Sequence, residues 1–541
     1  MSSDLFDAII VGAGISGLTA AHRLKKKEPN IRVLVIEAKD RVGGRTYSVP
    51  LKTVAGTDGT EGTDVWDLGS QWVGRCQTHI MSLLSELELE TYPQYSEGSK
   101  FVQLDDHSIR TYTSTLPTLS YLELLDLRRF INKIDAMRRQ VPADDPFSCN
   151  KARKWDSMTL ETFKQNTLWT AGSADAIDAV VRCILGVEAS QVSLLFFLMY
   201  VNSADGLDNL VQKTEDSGQE LKIKGGAQQI CEKLVEAIGD NSVMLKQPVS
   251  NIKQESEGVV ITTTHGTTFK CKRAIVTIPP NLLSKVHFEP NLPICKRDYI
   301  SRAPLSNRIT VLLTFKESFW RDRGWSGEIL SSGGQSTVSR CDSGPLCFAC
   351  DATSADDNPA IVAFIGGHQA VQWGQLQLEE RKRGVLESLS RFFGPDVFGY
   401  VDYAERDWNQ ESYTDGGPLC VANPGAMMYY NKALRQPFGK VHFAGTETAT
   451  VWIGSMNGAV QAGLRAATEV LRIIKPEVVT PDDLAILTTN QTRQKKSVRR
   501  KAKAPSWVTL TIGLGSLITI LFAIGNRDRL QHLFQGVSTK N

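Results

Sequence analysis

Three glycines near the N-terminus have the spacing of a phosphate-binding turn. Gly12, Gly14 and Gly17 form a G-x-G-x-x-G pattern between the short β-type run AIIV and a helix-forming stretch rich in small residues. In such a unit the first glycine allows a tight turn, the second lets the backbone approach a pyrophosphate, and the third lets the helix pack on the sheet. The N-terminus of the helix, which includes Ser16, attracts the phosphates through its free N–H groups and its dipole. The pattern therefore predicts a dinucleotide-binding site.

A second β-type run with an acidic end supports the same site. The run IRVLVIEA ends in Glu37 and Ala38, and Glu37 lies twenty residues after Gly17. This is the spacing expected for a carboxylate that accepts hydrogen bonds from ribose hydroxyls, and it makes a merely solvated carboxylate the weaker interpretation. The sequence RVGGRT then follows, and its Arg45 could neutralise a pyrophosphate.

The composition indicates a folded chain of more than one domain. The 541 residues are 41% hydrophobic and 22% charged, which is enough to build large cores. The formal charge of +2 hides a basic C-terminal stretch behind a mildly acidic body, so nucleic acid is not an expected partner. The ten cysteines are too scattered for a disulfide scaffold, and the N-terminus has no secretory pattern, so a reducing, cytosol-facing location is expected.

An apolar segment near the C-terminus predicts a membrane anchor. Residues 507–525 contain no ionisable side chain, and a helix of this length spans a hydrocarbon core of roughly 30 Å. The preceding linker, 471–505, carries a basic cluster suited to anionic lipid headgroups. A buried core helix is the alternative. Basic flanks on both sides favour the mitochondrial outer membrane, with the endoplasmic reticulum membrane as the competitor.

The first 45 residues resemble the N-terminal pattern of the flavin-containing amine oxidases, which couples G-x-G-x-x-G to E-A-x-x-R-x-G-G-R. The resemblance continues along most of the globular region, and its last segment is close to the monoamine oxidase pattern. Several ordered motifs are more specific than any one of them. The further segments are DLGSQWVG (67–74), KGGAQQICEKL (224–234), AIVTIPP (274–280) and VHFAGTETATVWIGSMNGAVQAGLRAA (441–467).

The resemblance implies FAD as the cofactor. Glu447 and Met456 would contact the flavin, and Val249 would lie on the adenine side. The implied fold class is α/β, with a discontinuous Rossmann-like FAD-binding domain, an α+β substrate domain and a C-terminal transmembrane helix. The active site would lie in the crevice between the domains. The FAD-binding domain would comprise 1–90, 220–295 and 400–470, and the substrate domain 91–219 and 296–399.

The implied reaction is the oxidative deamination of an amine. A primary or secondary amine would pass a hydride equivalent to the flavin, and water would hydrolyse the resulting imine to an aldehyde. Dioxygen would be reduced to hydrogen peroxide. The small-molecule partners would therefore be an amine and dioxygen, the C-terminal helix would contact membrane lipid, and a homodimer is left open.

The expected mode of flavin attachment depends on Cys420. Monoamine oxidases bind the flavin covalently through the cysteine of an S-G-G-C-Y run. A gapless alignment of DWNQESYTDGGPLCVANPG puts Gly417 at the cysteine position and Pro418 at the following tyrosine, so Cys420 lies three residues too late. We therefore expect non-covalent FAD, with Cys420 as an unattached apolar side chain.

Further departures from the family concern the catalytic positions. Pro418 and Ser455 replace two tyrosines that form an aromatic cage, whose cation–π contact with an amine contributes about 0.5–2 kcal/mol. The family's lysine near flavin N5 aligns with Thr310, and Arg308 on the same strand face is the nearest substitute. Trp408 is expected to be an active-site wall. Thr310, Arg308, Trp408 and Ser455 are the candidate catalytic residues.

These departures keep other functions open. One is a flavin-binding pseudo-enzyme that acts as a scaffold at a membrane. A polyamine oxidase would need acidic residues along its tunnel, and an L-amino-acid oxidase would need an arginine that binds the carboxylate, for which Arg308 and Arg75 are candidates. The lone C-x-x-C pair of CFAC (347–350) predicts a buried strand, so no metal site is expected.

Overall fold

The computed structural model describes residues 5–55, 60–114 and 117–487, which form two large sheets, two small sheets and the helices around them. The strands of this part of the chain are Leu5–Val11, Val33–Ile36, Ser48–Ala55, Thr60–Asp67, Trp72–Val73, Thr91–Pro93, Ser99–Gln103, Ile109–Tyr112, Leu221–Ile223, Val243–Met244, Val249–Gln254, Val259–Thr263, Thr268–Val276, His287–Glu289, Arg308–Thr314, Trp325–Ser331, Phe348–Asp351, Ala360–Gly366, Asp402–Asp407 and Val441–Phe443. Its α-helices are Ile15–Lys27, Thr78–Glu86, Tyr121–Arg138, Ala152–Asp156, Leu160–Gln165, Ala171–Leu185, Leu194–Ser203, Leu207–Val211, Gln229–Ile238, Ile294–Ser301, Phe319–Asp322, Gly367–Gly374, Leu378–Phe393, Tyr430–Leu434, Met456–Ile474 and Pro481–Leu487.

The first predicted strand lies in the middle of an eight-stranded sheet. Leu5–Val11 pairs in parallel with Val33–Ile36 on one side and with Thr268–Val276 on the other. Val243–Met244 and Val441–Phe443 extend the parallel part of the sheet. The central strands are apolar and buried on both faces. One face packs on the helices Ile15–Lys27, Gln229–Ile238 and Met456–Ile474, and the other on residues of the strands Val249–Gln254 and Val259–Thr263. The α/β class is therefore confirmed.

Two helices from opposite ends of the chain pack closely beside this sheet. Ile15–Lys27 follows the glycine-rich turn, and Met456–Ile474 packs against it. A Cβ on Gly463 would lie 2.3 Å from the carbonyl oxygen of Ser16, so only glycine permits this approach. This close packing places the helix Met456–Ile474 beside the glycine-rich turn that follows the strand Leu5–Val11.

The second large sheet has seven strands and lies in the part of the chain between the cofactor-type segments. Its strand Arg308–Thr314 pairs antiparallel with Ala360–Gly366 and with Asp402–Asp407. Asp402–Asp407 is thus an edge strand of this sheet, although it falls inside the predicted range 400–470 of the FAD-binding domain. The division into two domains otherwise stays a prediction.

The first part of the predicted linker is folded. Residues Pro481–Leu487 form a helix, and the fully buried Asp483 pairs with Arg23 and with Lys27, the latter at 2.7 Å from Nζ to Oδ2. Composition did not predict this contact because it depends on two bases of the first helix. The remainder of the linker and the predicted transmembrane segment 507–525 lie outside the described residues. Among the helices that the structure does describe, none combines the length and the apolar character that a bilayer crossing requires.

Candidate active site

A cavity of about 550 Å³ opens where the parallel strands of the first sheet end. We call it the larger cavity. This edge of an α/β sheet is where dinucleotides bind, and the volume suits a cofactor. Eight of the predicted cofactor-binding residues line the larger cavity: Gly12, Gly14, Ser16, Glu37, Ala38, Arg45, Val249 and Met456.

The glycines of the turn are needed for different reasons. A Cβ on Gly17 would lie 2.0 Å from the carbonyl oxygen of Gly12, and one on Gly12, at φ +109°, would lie 2.3 Å from Oγ1 of Thr277. Internal packing therefore fixes both positions as glycine. Among the described residues, the nearest atom to a Cβ on Gly14 would be the carbonyl oxygen of Gly43, at 3.7 Å. Gly14 faces open space in the larger cavity, and a ligand could approach its backbone there.

The carboxylate of Glu37 is held at the wall of the larger cavity by backbone groups. Its Oε2 accepts a hydrogen bond from the N–H of Ala13 at 2.7 Å, and its Oε1 accepts one from the N–H of Lys39 at 2.9 Å. Each carboxylate oxygen has a second lone pair, so both can still accept from ribose hydroxyls. The hydroxyl of Ser16 accepts a hydrogen bond from the N–H of Gly445 at 2.9 Å, which ties the turn to the segment after the last strand.

An ion pair joins Arg45, in the N-terminal motif of the family pattern, to Glu447, in its C-terminal motif. Arg45 binds Glu447 through both guanidinium Nη atoms, at 2.6 and 3.1 Å, and also donates to the carbonyl oxygen of Pro418 at 2.7 Å. Burial lowers the pKa of Arg45, but the charge and hydrogen bonds of Glu447 outweigh this effect and raise it. Among the described residues Arg45 lines the larger cavity and Glu447 does not. Glu447 therefore lies behind Arg45 and positions it.

A second cavity, of about 170 Å³, adjoins the first. We call it the smaller cavity. All four candidate catalytic residues line it: Arg308, Thr310, Trp408 and Ser455. The two cavities meet at walls that they share: Arg45, Ser70, Pro418, Gly454, Ser455 and Met456.

The candidate catalytic side chains are held by separate elements. Thr310 is buried on the strand Arg308–Thr314. The indole N–H of Trp408 donates to the carbonyl oxygen of Leu68 at 3.0 Å. Ser455 is the N-cap of the helix Met456–Ile474: its hydroxyl accepts from the N–H of Gly458 and donates to the carbonyl oxygen of Trp452 at 2.7 Å. The hydroxyl of Ser455 is thus committed to capping this helix.

The sequence motifs did not identify most of the smaller cavity. Besides aliphatic and small residues, its remaining lining contains aromatic rings and carboxamides from several parts of the chain. Gln71 and Trp72 lie inside the segment DLGSQWVG and Trp452 lies inside the segment 441–467, which were usable signals, whereas the others converge only in the fold. The aromatic and carboxamide residues are Gln71, Trp72, Gln77, Tyr200, Asn209, Gln219, Phe348, Phe364 and Trp452.

Cys420 lies in an apolar core near both cavities, yet among the described residues it lines neither. Its thiol donates to Oδ1 of Asn281 at 3.4 Å, and burial raises the pKa of the thiol. Gly417 and Pro418 line the smaller cavity in its place. This position offers no support for a covalent bond between Cys420 and a cofactor.

The two arginines considered for a carboxylate clamp have different surroundings. Arg75 pairs with Glu220, has an exposed side chain, and among the described residues is not a wall of the smaller cavity. Arg308 is a wall of it. The guanidinium of Arg308 donates to the carbonyl oxygen of Cys183, and its Cζ lies 5.3 Å from the centre of the Phe364 ring.

Comparison with known proteins identifies the family. The profile described as "Flavin containing amine oxidoreductase" matches residues 15–471. The chain belongs to this family. The expectation of an FAD-dependent amine oxidase is confirmed at this level, and the open space at Gly14 together with the lone pairs of Glu37 fits FAD in the larger cavity.

Individual relatives cover nearly all of the described residues. The chain is 33% identical over 471 residues to "Probable flavin-containing monoamine oxidase A" of Dictyostelium discoideum, which covers 86% of this chain and 98% of that protein. It is 34% identical over 472 residues to "Amine oxidase [flavin-containing] B" of Homo sapiens, covering 87% of this chain and 86% of the relative. The solved structure of cyclohexylamine oxidase from Brevibacterium oxydans IH-35A matches with a TM-score of 0.78 and 29% identity, over 86% of this chain and 99% of that one. Putrescine oxidase bound to putrescine matches with a TM-score of 0.77 and 30% identity, over the same shares.

Proposed function

We propose that this protein oxidises a small primary or secondary amine to an imine, which water hydrolyses to an aldehyde, with release of hydrogen peroxide. The observation that carries the proposal is the meeting of a dinucleotide-sized cavity and a small aromatic cavity at Arg45, Ser455 and Met456. A cofactor in one and an amine in the other would be in contact there. Bound FAD supplies the hydride acceptor and the reaction with dioxygen.

The roles of the residues at the larger cavity follow from their positions. The N-terminus of the helix Ile15–Lys27 and the open backbone at Gly14 would hold the pyrophosphate. Glu37 would accept hydrogen bonds from ribose, and Val249 would contact the adenine side. Arg45 would supply a fixed positive charge near the junction of the cavities, because Glu447 keeps it oriented.

The residues of the smaller cavity would bind and orient the amine. Trp408 and the other rings would exclude water and confine an apolar side chain, which brings the reacting carbon to a fixed place. Thr310 and Arg308 would offer polar contacts from one face of their strand. We infer non-covalent FAD because Gly417 occupies the aligned position of the attachment cysteine and Cys420 is bonded to Asn281.

Two alternatives receive less support. A pseudo-enzyme whose amine site had been filled would lack a cavity, whereas about 170 Å³ stays open beside Ser455 and Pro418. A polyamine oxidase would need carboxylates to bind a second ammonium group. Among the described residues that line the smaller cavity, there is no aspartate or glutamate.

The proposal is tested with the purified flavoprotein and a panel of aliphatic and aromatic amines. Peroxide release should accompany oxygen consumption, and anaerobic addition of a substrate should bleach the flavin absorbance. Denaturation by acid should release free FAD into the supernatant. A protein that carries FAD but neither bleaches nor forms peroxide with any amine would instead be a pseudo-enzyme.

We also propose that residues 507–525 anchor the protein in a membrane, with the mitochondrial outer membrane ahead of the endoplasmic reticulum membrane. The support is the absence of ionisable side chains from this segment and the basic cluster before it. A fluorescent fusion of residues 490–541 should locate to that membrane and resist extraction with carbonate. Replacement of Leu514 and Ile518 by lysine should release it.

A further inference from the structure

One wall residue of the smaller cavity has an unusual backbone conformation. Trp452 has a φ of +52°, and among the described residues other than glycine that line this cavity it alone has a positive φ. A bulky residue rarely adopts this conformation, because its Cβ crowds the following carbonyl oxygen. Such strain persists only where surrounding contacts hold it, and it is concentrated at functional sites. Trp452 is therefore a candidate for a role in ligand selection.

Hydrogen bonds from two segments hold the backbone of Trp452. Its N–H donates to the carbonyl oxygen of Ser203 at 2.9 Å. Its carbonyl oxygen accepts from the N–H of Ser455 at 3.1 Å and from the hydroxyl of Ser455 at 2.7 Å. Ser203 ends the helix Leu194–Ser203, which also carries Tyr200, another wall of the smaller cavity. The backbone of Trp452 is thus fixed on both sides of its peptide unit.

The indole ring of Trp452 packs on a glycine that lines the same cavity. A Cβ on Gly218 would lie 2.6 Å from Cζ3 and 2.9 Å from Cη2 of this ring, and 2.9 Å from the carbonyl oxygen of Asn209. The φ of Gly218 is not positive, so its backbone conformation does not require glycine. Close contact with the ring and with Asn209 does require it. Trp452 and Gly218 therefore form a tightly packed part of the cavity wall.

A ring held in this way limits the size of a ligand. The smaller cavity has a volume of about 170 Å³, and Trp452 belongs to the same segment as Gly454, Ser455 and Met456, which both cavities share. Close packing leaves the indole no room to move when a bulkier ligand enters. In an apolar pocket, one methylene group more or less changes selectivity roughly ten- to two-hundredfold. The position of this ring therefore decides how large a group fits beside the junction of the cavities.

We propose that Trp452 sets the upper size limit of the substrate, so that the smaller cavity accepts amines with a single ring or a short chain and rejects amines with fused rings. The inference rests on the proposed oxidase function, and it concerns which amines reach the junction with the larger cavity. Trp452 is a specificity-determining residue. Its ring occupies the space that a second ring of the substrate would need, and its contact with Gly218 keeps it there.

Binding of two matched probes tests the size limit without turnover. Aniline and 1-naphthylamine differ by one fused ring, and neither has a hydrogen on the carbon that bears the nitrogen, so neither is oxidised by this route. Their Kd values for the FAD-loaded protein are measured by calorimetry. Relative to wild type, Trp452→Gly should shift the ratio of the two Kd values about tenfold or more in favour of 1-naphthylamine. Trp452→Phe, which keeps a ring, should shift the ratio less in the same direction. An unchanged ratio in both variants would overturn the proposal.

A second tryptophan provides the matched control. The ring of Trp373 lies against Gly384 in the same way, since a Cβ there would be 2.2 Å from Cζ3 and 2.4 Å from Cη2 of the ring. Among the described residues Trp373 lines neither cavity. Trp373→Phe should lower the Tm, as Trp452→Phe does, but leave the ratio of the Kd values unchanged. An equal shift of the ratio in both phenylalanine variants would mean that loosened packing, and not the position of Trp452, changes the selectivity.

Turnover separates the size limit from the oxidase function. The kcat/KM for 1-naphthylmethylamine relative to benzylamine should rise about tenfold or more in Trp452→Gly and less in Trp452→Phe. FAD content and thermal unfolding establish that each variant is folded. A shifted ratio of Kd values without turnover of any amine would support the size limit and overturn the oxidase function. Turnover with the same ratio of kcat/KM values in wild type and both variants would overturn the size limit and leave the oxidase function intact.

Discussion

The two cavities differ in the kind of group that would bind a ligand. In the larger cavity, the groups proposed to bind the dinucleotide are mostly supplied or held by backbone: the turn at Gly12 and Gly14, a helix N-terminus, and a carboxylate, Glu37, that accepts hydrogen bonds from backbone N–H groups. The smaller cavity is formed by side chains such as Trp408 and Arg308, which come from elements far apart in the sequence. A site formed by backbone groups depends on the conformation of the chain and tolerates most side-chain substitutions. A side-chain site can change its ligand while the fold stays the same.

This difference explains why the family resemblance is strong at one cavity and broken at the other. The motif at Gly12 and the acid at Glu37 keep the family pattern. The departures at Thr310, Pro418 and Ser455 all lie at the smaller cavity. The departures from the family pattern, including Gly417 at the flavin-attachment position, are thus concentrated at the smaller cavity, whereas the dinucleotide motif at the larger cavity is intact.

The largest effect should come from the glycine that internal packing requires. In Gly17→Ala the new Cβ would lie 2.0 Å from the carbonyl oxygen of Gly12, so the turn must move. We expect a loss of more than about 4 kcal/mol in the free energy of unfolding, which is the range of exceptional substitutions. The measurement is urea unfolding of the apoprotein, together with the yield of folded protein.

Gly14→Ala is the matched variant, with the same change three residues away. Its Cβ has 3.7 Å to the nearest atom among the described residues, so apoprotein stability should stay within about 1 kcal/mol of wild type. The affinity for FAD should fall at least tenfold, about 1.4 kcal/mol, because the Cβ would occupy space that the ligand needs. If Gly14→Ala destabilised the apoprotein as much as Gly17→Ala, the larger cavity would not be the open backbone cradle described above.

Arg45 lines both cavities, so its substitution tests how the wall between them is stabilised. Arg45→Met would leave Glu447, which is 3% exposed, as a buried and unpaired charge. The expected cost is about 3–5 kcal/mol in the free energy of unfolding. The double variant Arg45→Met/Glu447→Gln removes the charge and should recover part of that loss in urea unfolding. No recovery would mean that Arg45 stabilises the fold through contacts other than this ion pair.

Substitution of Glu37 tests whether FAD binding in the larger cavity and substrate selection in the smaller cavity are independent of each other. Glu37→Gln keeps an oxygen that can accept from the N–H of Ala13 but loses the negative charge. Hydrogen bonds to charged groups contribute about 1.5–3 kcal/mol, so the Kd for FAD should rise roughly ten- to a hundredfold in a fluorescence titration of the apoprotein. At saturating FAD, the ratio of kcat/KM values between two substrates should be unchanged. A changed ratio would show that substrate selection extends into the larger cavity.

How far the sequence predicts each cavity follows from how local its determinants are. Gly12, Gly14 and Glu37 lie within one strand–turn–helix unit and the strand after it. Their spacing in the sequence was therefore enough to predict the dinucleotide site that they line. The position of Glu447 behind Arg45 was not predictable, because it depends on a contact between residues 402 positions apart. The family pattern indicated that Glu447 belongs to the site, whereas only the structure shows that it acts through another residue.

The smaller cavity shows the same limit more strongly. The alignment located Thr310, Ser455 and Trp408, yet Tyr200 and Gln219 carry no local pattern and meet them only through the packing of several elements. The helix that contains Asp483 was missed for a related reason. Its burial depends on Arg23 and Lys27, which belong to a helix at the other end of the described chain.

The smallest change in stability is expected at Ser455. This residue both caps the helix Met456–Ile474 and lines the smaller cavity. Ser455→Ala should cost about 1 kcal/mol in the free energy of unfolding, because the helix Met456–Ile474 loses its N-cap. Ser455→Tyr loses the same cap but places a ring at the junction of the cavities, where a cation–π contact contributes about 0.5–2 kcal/mol. Relative to Ser455→Ala, the tyrosine variant should therefore lower the KM for benzylamine about two- to tenfold at similar stability. An equal KM in both variants would mean that the ring does not reach the amine, and that the smaller cavity selects its ligand through its other walls.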